Sequence, residues 1–255
     1  MILEGADHLQ PPQSPEAELA QQQGLPPEVR LACQTHITGD IRLRRLVLDD
    51  IDVSLATTSA AAALAREVEL AVLFSDLRAF TPFVERHLPY DVVHILNRYF
   101  SSAGQAILDH DGYIDKYIGD AIMALFGLDG QDPVNACRNA VLAAQDLVAR
   151  LDTVNAYVSK YFGETLRCGV GVHFGTVLVG QIGHPQRMQF TAIGDAVNVA
   201  SRIESMTKTT GTVILVSDDI RRQVPDLVSN QSKIETQLKG KSGTFELYAV
   251  PVHQA

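Results

Sequence analysis

The stretch VELAVLFSDLRAFTPF at residues 68–83 decides the fold, because an apolar run of strand length ends on a carboxylate, Asp76, and passes within a few residues into a helix start. Thr81 reads as an N-cap and Pro82 as the first helical position, so the pattern predicts one long amphipathic helix over 82–109. Working outward, 112–116 and 121–126 read as two strands around a Gly119-Asp120 turn. Residues 133–161 form a second long helix, with Ala140, Ala143, Ala144, Leu147 and Leu151 on one face. Strands are expected at 166–173, 176–181 and 189–193, a helix at 195–206, and closing strands at 212–216 and 245–250. The fold class is α+β: a mostly antiparallel sheet covered by helices.

Composition agrees. The chain has 255 residues, 46% hydrophobic and 20% charged, which fits a folded protein with a buried core. Its net charge of −9 argues against nucleic-acid binding. No uncharged apolar run approaches a membrane span, and Glu4 and Asp7 stand where a signal peptide carries basic residues. Three scattered cysteines, Cys33, Cys137 and Cys168, suggest a reducing compartment, so the expected location is cytoplasmic. Residues 10–29 hold five prolines and read as a loop with one short helix near 16–23, while 40–47 resembles a charged edge strand. The alanine-rich segment 55–66 reads as a connection.

Asp76 and Asp120 each follow a strand, and if those strands are neighbours the two carboxylates converge beside the backbone N–H groups of a helix start. Such an arrangement suits Mg²⁺ or Mn²⁺ carrying a phosphate, since hard cations take oxygen ligands and keep positions open for substrate. Asn198 and Arg202 lie four apart on one helix and share a face. A lone Asp more often caps a turn, and NVASR alone reads as a solvated helix face. His173 lies within an apolar strand and reads as a structural histidine.

Taken together, FSDLRAFT (74–81), GYIDKYIGDAIMALFG (112–127), GVGVHFGTVLVGQIG (169–183), FTAIGDAVNVASRIES (190–205) and LKGKSG (238–243) resemble the class III nucleotide cyclase catalytic domain, in the family's order. The resemblance covers 68–252 and implies a ferredoxin-like cyclase fold. It implies that Asp76 and Asp120 hold two Mg²⁺ or Mn²⁺ ions, with the carbonyl of Leu77 as a further ligand. The backbone of Ala79, Phe80 and Thr81 would cradle the phosphates, Asn198 orient the ribose, Arg202 stabilise the α-phosphate and Lys239 hold the terminal phosphates. The ribose 3′-oxygen would attack the α-phosphorus and expel pyrophosphate. The family usually has glycine at the Ala79 position. Many members carry an arginine where Gly169 stands here, and whether Arg167 takes its place the sequence leaves open.

By the same resemblance Lys116 and Thr191 read the purine. An ammonium donates to adenine N1 and a hydroxyl oxygen accepts from the N6 amino group, whereas guanine N1 is itself a donor. The pair therefore points to ATP and to an adenylate cyclase. The alternatives are a guanylate cyclase or a non-catalytic cyclase-like module; against the latter, Asp76, Asp120, Asn198 and Arg202 are all present. The resemblance further implies a homodimer with shared active sites. Residues 1–52 resemble the carboxy-terminal half of a plant-type [2Fe–2S] ferredoxin domain, through LEGADHL (3–9) and PPEVRLACQTHITGDIRLRRLV (26–47), with 53–67 as linker. Only Cys33 matches one of the four cluster ligands, so no iron–sulfur cluster is expected in this chain.

Overall fold

The computed structural model describes residues 1–23, 25–45, 66–184, 186–238 and 243–252. The expected linker at 53–65, the end of the charged strand at 46–47, and Lys239 lie outside the described residues. The chain divides into two units, Met1–Arg66 with Val179–Thr191, and Glu67–Leu178 with Ala192–Ala255.

In the first unit, β1 (Ile2–Glu4) pairs antiparallel with β2 (Arg42–Leu43), and α1 spans Ser14–Gln23. The expected edge strand is thus only two residues long, and both are exposed. Glu16 is the one buried residue described within 1–45. It accepts from Arg30 Nε at 2.8 Å and from the Leu31 backbone N–H at 2.7 Å, and the guanidinium holds its carboxyl below the usual range. Leu3, Ile37 and Leu43 remain exposed. A paired charge organises this element in place of an apolar core.

The second unit carries most of a large sheet. The strands of that sheet are β3 (Arg66–Arg78), β4 (Tyr113–Ile118), β5 (Ala121–Phe126), β6 (Arg167–His184), β7 (Arg187–Ile193), β8 (Ile214–Ser217), β9 (Lys233–Thr236) and β10 (Phe245–Ala249). Their order is β4-β5-β3-β6-β8-β10-β9, and β7 pairs with β6. The β3–β5, β4–β5, β8–β10 and β9–β10 pairs are antiparallel, while β6 and β8 run parallel. The helices are α2 (Phe80–Arg86), α3 (Pro89–Asp109), α4 (Pro133–Phe162), α5 (Asp195–Thr210) and α6 (Asp218–Gln223). Leu73, Ile95, Ile107, Ile122 and Leu147 are buried where helices meet the sheet.

Three expectations change. The single helix over 82–109 is two helices: Leu88 is extended (φ −67°, ψ 145°) and Pro89 opens α3, since a residue before proline is pushed out of the α region. Thr81 is no cap; that place belongs to Ala79, in the left-handed region with φ 55°. The two strands expected at 166–173 and 176–181 are one continuous strand of 18 residues. The Gly119 turn appears as expected with φ 64°, and Asp132 caps α4 by accepting from the N–H groups of Val134 and Asn135.

Candidate active site

The register of the sheet builds the acidic end of the site. Ser75 pairs with Ile122, which sets Asp76 on β3 beside the turn that carries Asp120. The two carboxylates repel: burial and the Asp76 charge push the Asp120 carboxyl up to about 6. A place that desolvates one carboxylate next to another is unfavourable when empty of cations and fits a divalent ion. The donor set is two half-buried carboxylates, suited to a metal that takes its remaining oxygens from water or phosphate. Leu77 has its side chain in the core, 2% exposed, which anchors the backbone between Asp76 and the loop.

Ala79 starts α2 without a side-chain cap. Phe80 and Phe83 behind it are buried and stacked, with ring centroids 5.6 Å apart, so the loop is pinned from below while Thr81 stays exposed. Below Asp76, Ser75 Oγ and Tyr99 Oη are 2.9 Å apart in the core, and burial pushes the Tyr99 phenol well above its usual range.

On α5 Asn198 is exposed, and Arg202 is half-buried with a buried Nη1 that has no hydrogen-bond partner among the described residues. A guanidinium nitrogen left without an acceptor is costly, and an anion would satisfy it. Lys116 Nζ lies 3.3 Å from Asp115 Oδ2. Consecutive strand residues normally face opposite ways; a register shift between Ile114 and Lys116 lets these two meet. Thr191 is buried on β7, in the other unit.

Several residues near Asp76 escaped the sequence reading. Lys208 Nζ is 2.7 Å from Asp76 Oδ2. Glu204 is buried, and desolvation together with Asp76 pushes its carboxyl up to about 7. The available signal was their four-residue spacing, with Glu204 inside the expected helix and Lys208 just beyond its expected end at 206. Arg78 donates to the Thr212 carbonyl at 2.6 Å. Gly169 has no room for a side chain: an added Cβ would stand 2.2 Å from Thr207 Oγ1 and 3.1 Å from the Arg78 guanidinium. Arg78 thus occupies the space beside Gly169, and Arg167 is exposed. His173 Nδ1 lies 2.8 Å from Ser217 Oγ, the N-cap of α6, which makes it a structural tie between β6 and that helix.

Among the described residues no helix is long and apolar enough to cross a membrane. Cys33 is exposed; Cys137 and Cys168 are buried, and burial pushes both thiols up to about 12.

The chain is 37% identical over 210 residues to an adenylate cyclase of Anabaena cylindrica, covering 80% of this chain and 39% of that protein. It is 35% identical over 185 residues to adenylate cyclase 1 of Rhizobium meliloti (strain 1021), covering 71% and 27%. The chain therefore spans well under half the length of these two curated relatives. Among solved structures, the guanylyl cyclase Cya2 superposes with a TM-score of 0.68 at 31% identity, over 73% of this chain and 93% of that one. The adenylyl cyclase CyaB from P. aeruginosa gives 0.64 at 27%, over 74% and 96%. Residues 63–251 match the family described as the adenylate and guanylate cyclase catalytic domain, and the chain belongs to that family.

Proposed function

We propose that this chain is an adenylate cyclase catalytic domain, converting ATP to 3′,5′-cyclic AMP and pyrophosphate at sites shared between two copies of the chain. The observation that carries the reading is the convergence of Asp76 and Asp120 at one end of the β3–β5 pair, where burial and the Asp76 charge push the Asp120 carboxyl up to about 6. Asp76 and Asp120, with the Leu77 carbonyl, would hold two Mg²⁺ or Mn²⁺ ions, which when bound supply Lewis acidity to the ribose 3′-hydroxyl and neutralise the polyphosphate. Arg202 meets the charge that develops on the α-phosphate, for which its unpartnered Nη1 is suited. Asn198 orients the ribose, the backbone at 79–81 receives the phosphates, and Lys239 holds their end.

Lys116 and Thr191 read adenine. Because both guanylyl and adenylyl cyclases share this fold, membership of the family does not choose the base; the hydrogen-bond complementarity does. Exposed Asn198, and the apolar side chains of Tyr117, Ile118 and Ile193 left open to solvent, support docking of a second copy. ATP as substrate supports the reading of the protein as cytoplasmic. We retain the amino-terminal element as part of a ferredoxin-like domain; with Cys33 as its only thiol it is assigned no cluster.

The test is to incubate the purified protein with Mn²⁺ and ATP or GTP and identify the cyclic product. Cyclic AMP is expected in excess, and Asp76→Ala or Asp120→Ala should each cut turnover by at least about a hundredfold with an unchanged circular dichroism spectrum. Cyclic GMP as main product would make it a guanylate cyclase. Near-normal turnover in either variant would remove the metal assignment, and no product from either nucleotide would leave a binding module.

A further inference from the structure

The Lys208 ammonium sits on the carboxylate that the proposed function gives to a divalent cation: Nζ and Asp76 Oδ2 are 2.7 Å apart. An ammonium and a dication compete for that oxygen, since two positive charges a few ångströms apart repel. A metal that takes Asp76 Oδ2 displaces Lys208 from it. The same helix offers a destination. Glu204 stands four residues before Lys208, the orientation in which a glutamate–lysine pair on a helix is most favourable. It is 5% exposed; among the described residues its Oε1 has no hydrogen-bond partner, and its other oxygen receives the Ser205 hydroxyl, at 3.5 Å. Arg78 also faces Glu204; its Nη2 donates to the Thr212 carbonyl, and its buried Nε has no partner among the described residues.

We propose that Lys208 is a two-position counter-ion of the metal site, paired with Asp76 while no cation is bound and swung onto Glu204 when a divalent ion takes its place. The exchange rests on the reading of Asp76 as a metal ligand. It keeps the acidic edge neutralised between turnovers and sets how tightly the site takes a cation: Lys208 competes with the metal, and Glu204 lessens that competition by receiving the displaced charge.

The experiment measures Mn²⁺ binding to the whole chain without nucleotide, from the electron paramagnetic resonance signal of the free ion. Lys208→Met should bind Mn²⁺ about tenfold more tightly than wild type, and Lys208→Arg, which keeps the charge, close to wild type. Glu204→Gln should weaken binding several-fold in the wild-type background and change nothing in the Lys208→Met background. Thermal unfolding checks that each variant is folded; if Glu204→Gln is not, the Lys208→Met and Lys208→Arg pair decides alone. Unchanged or weaker binding in Lys208→Met overturns the inference, as does an equal effect of Glu204→Gln in both backgrounds. Asp76→Asn separates the two levels. If it lowers Mn²⁺ affinity while Lys208→Met has no effect, only the counter-ion exchange fails; if wild type binds no better than Asp76→Asn, the metal reading fails and takes the exchange with it.

Discussion

Asp120 shows how a functional site stores unfavourable charge. Its carboxyl titrates near 6 in the folded chain against an ordinary value of 3.8, so between those values the folded state binds more protons than the unfolded state, and stability falls as pH rises through this window. Above about 6 the full cost of a half-buried Asp120 charge beside Asp76, lessened by Lys208, is present in the metal-free protein. Asp120→Asn is therefore expected to stabilise it by about 1 kcal/mol at pH 7.5, the electrostatic term being reduced because the side chain is only half-buried, and to lose that advantage as pH falls towards 4. Urea unfolding in chelator at both pH values measures this; an advantage that grows on acidification would contradict the like-charge account. Base choice is also a residue-scale matter. Lys116→Glu with Thr191→Cys removes two hydrogen bonds worth on the order of 1 kcal/mol each, so the ratio of kcat/KM for ATP to that for GTP should fall by at least about tenfold. An unchanged ratio means that other residues read the purine. Ala79 carries a different strain, a left-handed backbone that costs alanine about 1–2 kcal/mol relative to glycine.

At the scale of the element, the position of α5 decides where Asn198 and Arg202 stand. The helix lies so close to β6 that a Cβ on Gly171 would be 2.1 Å from the Glu204 backbone nitrogen and 2.8 Å from the Ala200 carbonyl. Backbone cannot yield as a flexible side chain can. Gly171→Ala should therefore cost about 3 kcal/mol or more in urea unfolding and reduce turnover beyond what the loss of folded protein explains, because α5 must shift away from the sheet. A loss below about 1 kcal/mol would show that the helix can move freely. The break between α2 and α3 belongs to the same scale: Pro89 opens α3, and an apolar periodicity running from Phe83 to Ile107 hid that boundary.

For the whole molecule, the proposed sharing of sites predicts a specific kind of rescue. Asp120→Ala and Asn198→Ala should each be inactive alone. In a mixture that exchanges subunits freely, about half the dimers are mixed, and each mixed dimer has one site with both lesions and one with neither, so about a quarter of wild-type activity should return. With exchange confirmed by differently tagged copies, no recovery would mean that each chain completes its own site.

The strand-to-helix passage around Asp76, the Gly119 turn, the long helix from Pro133 and the pairing of Asn198 with Arg202 could all be read from local pattern, because periodicity, caps and turn residues act over a few neighbours. The convergence of Asp76 with Asp120 needed the β3–β5 register, which depends on packing between strands far apart in the chain. Lys116 beside Asp115 needed a bulge that composition does not announce. The roles of Lys208, Glu204 and Arg78 around Gly169 were invisible for the same reason: what a charged side chain meets is set by which elements pack together, and a helix-face charge spaced four from another looks the same whether it faces water or a metal site. Local sequence thus determined the elements and the inventory of reactive groups, and only tertiary packing decided which charges share a low-dielectric space and therefore which of them must exchange partners.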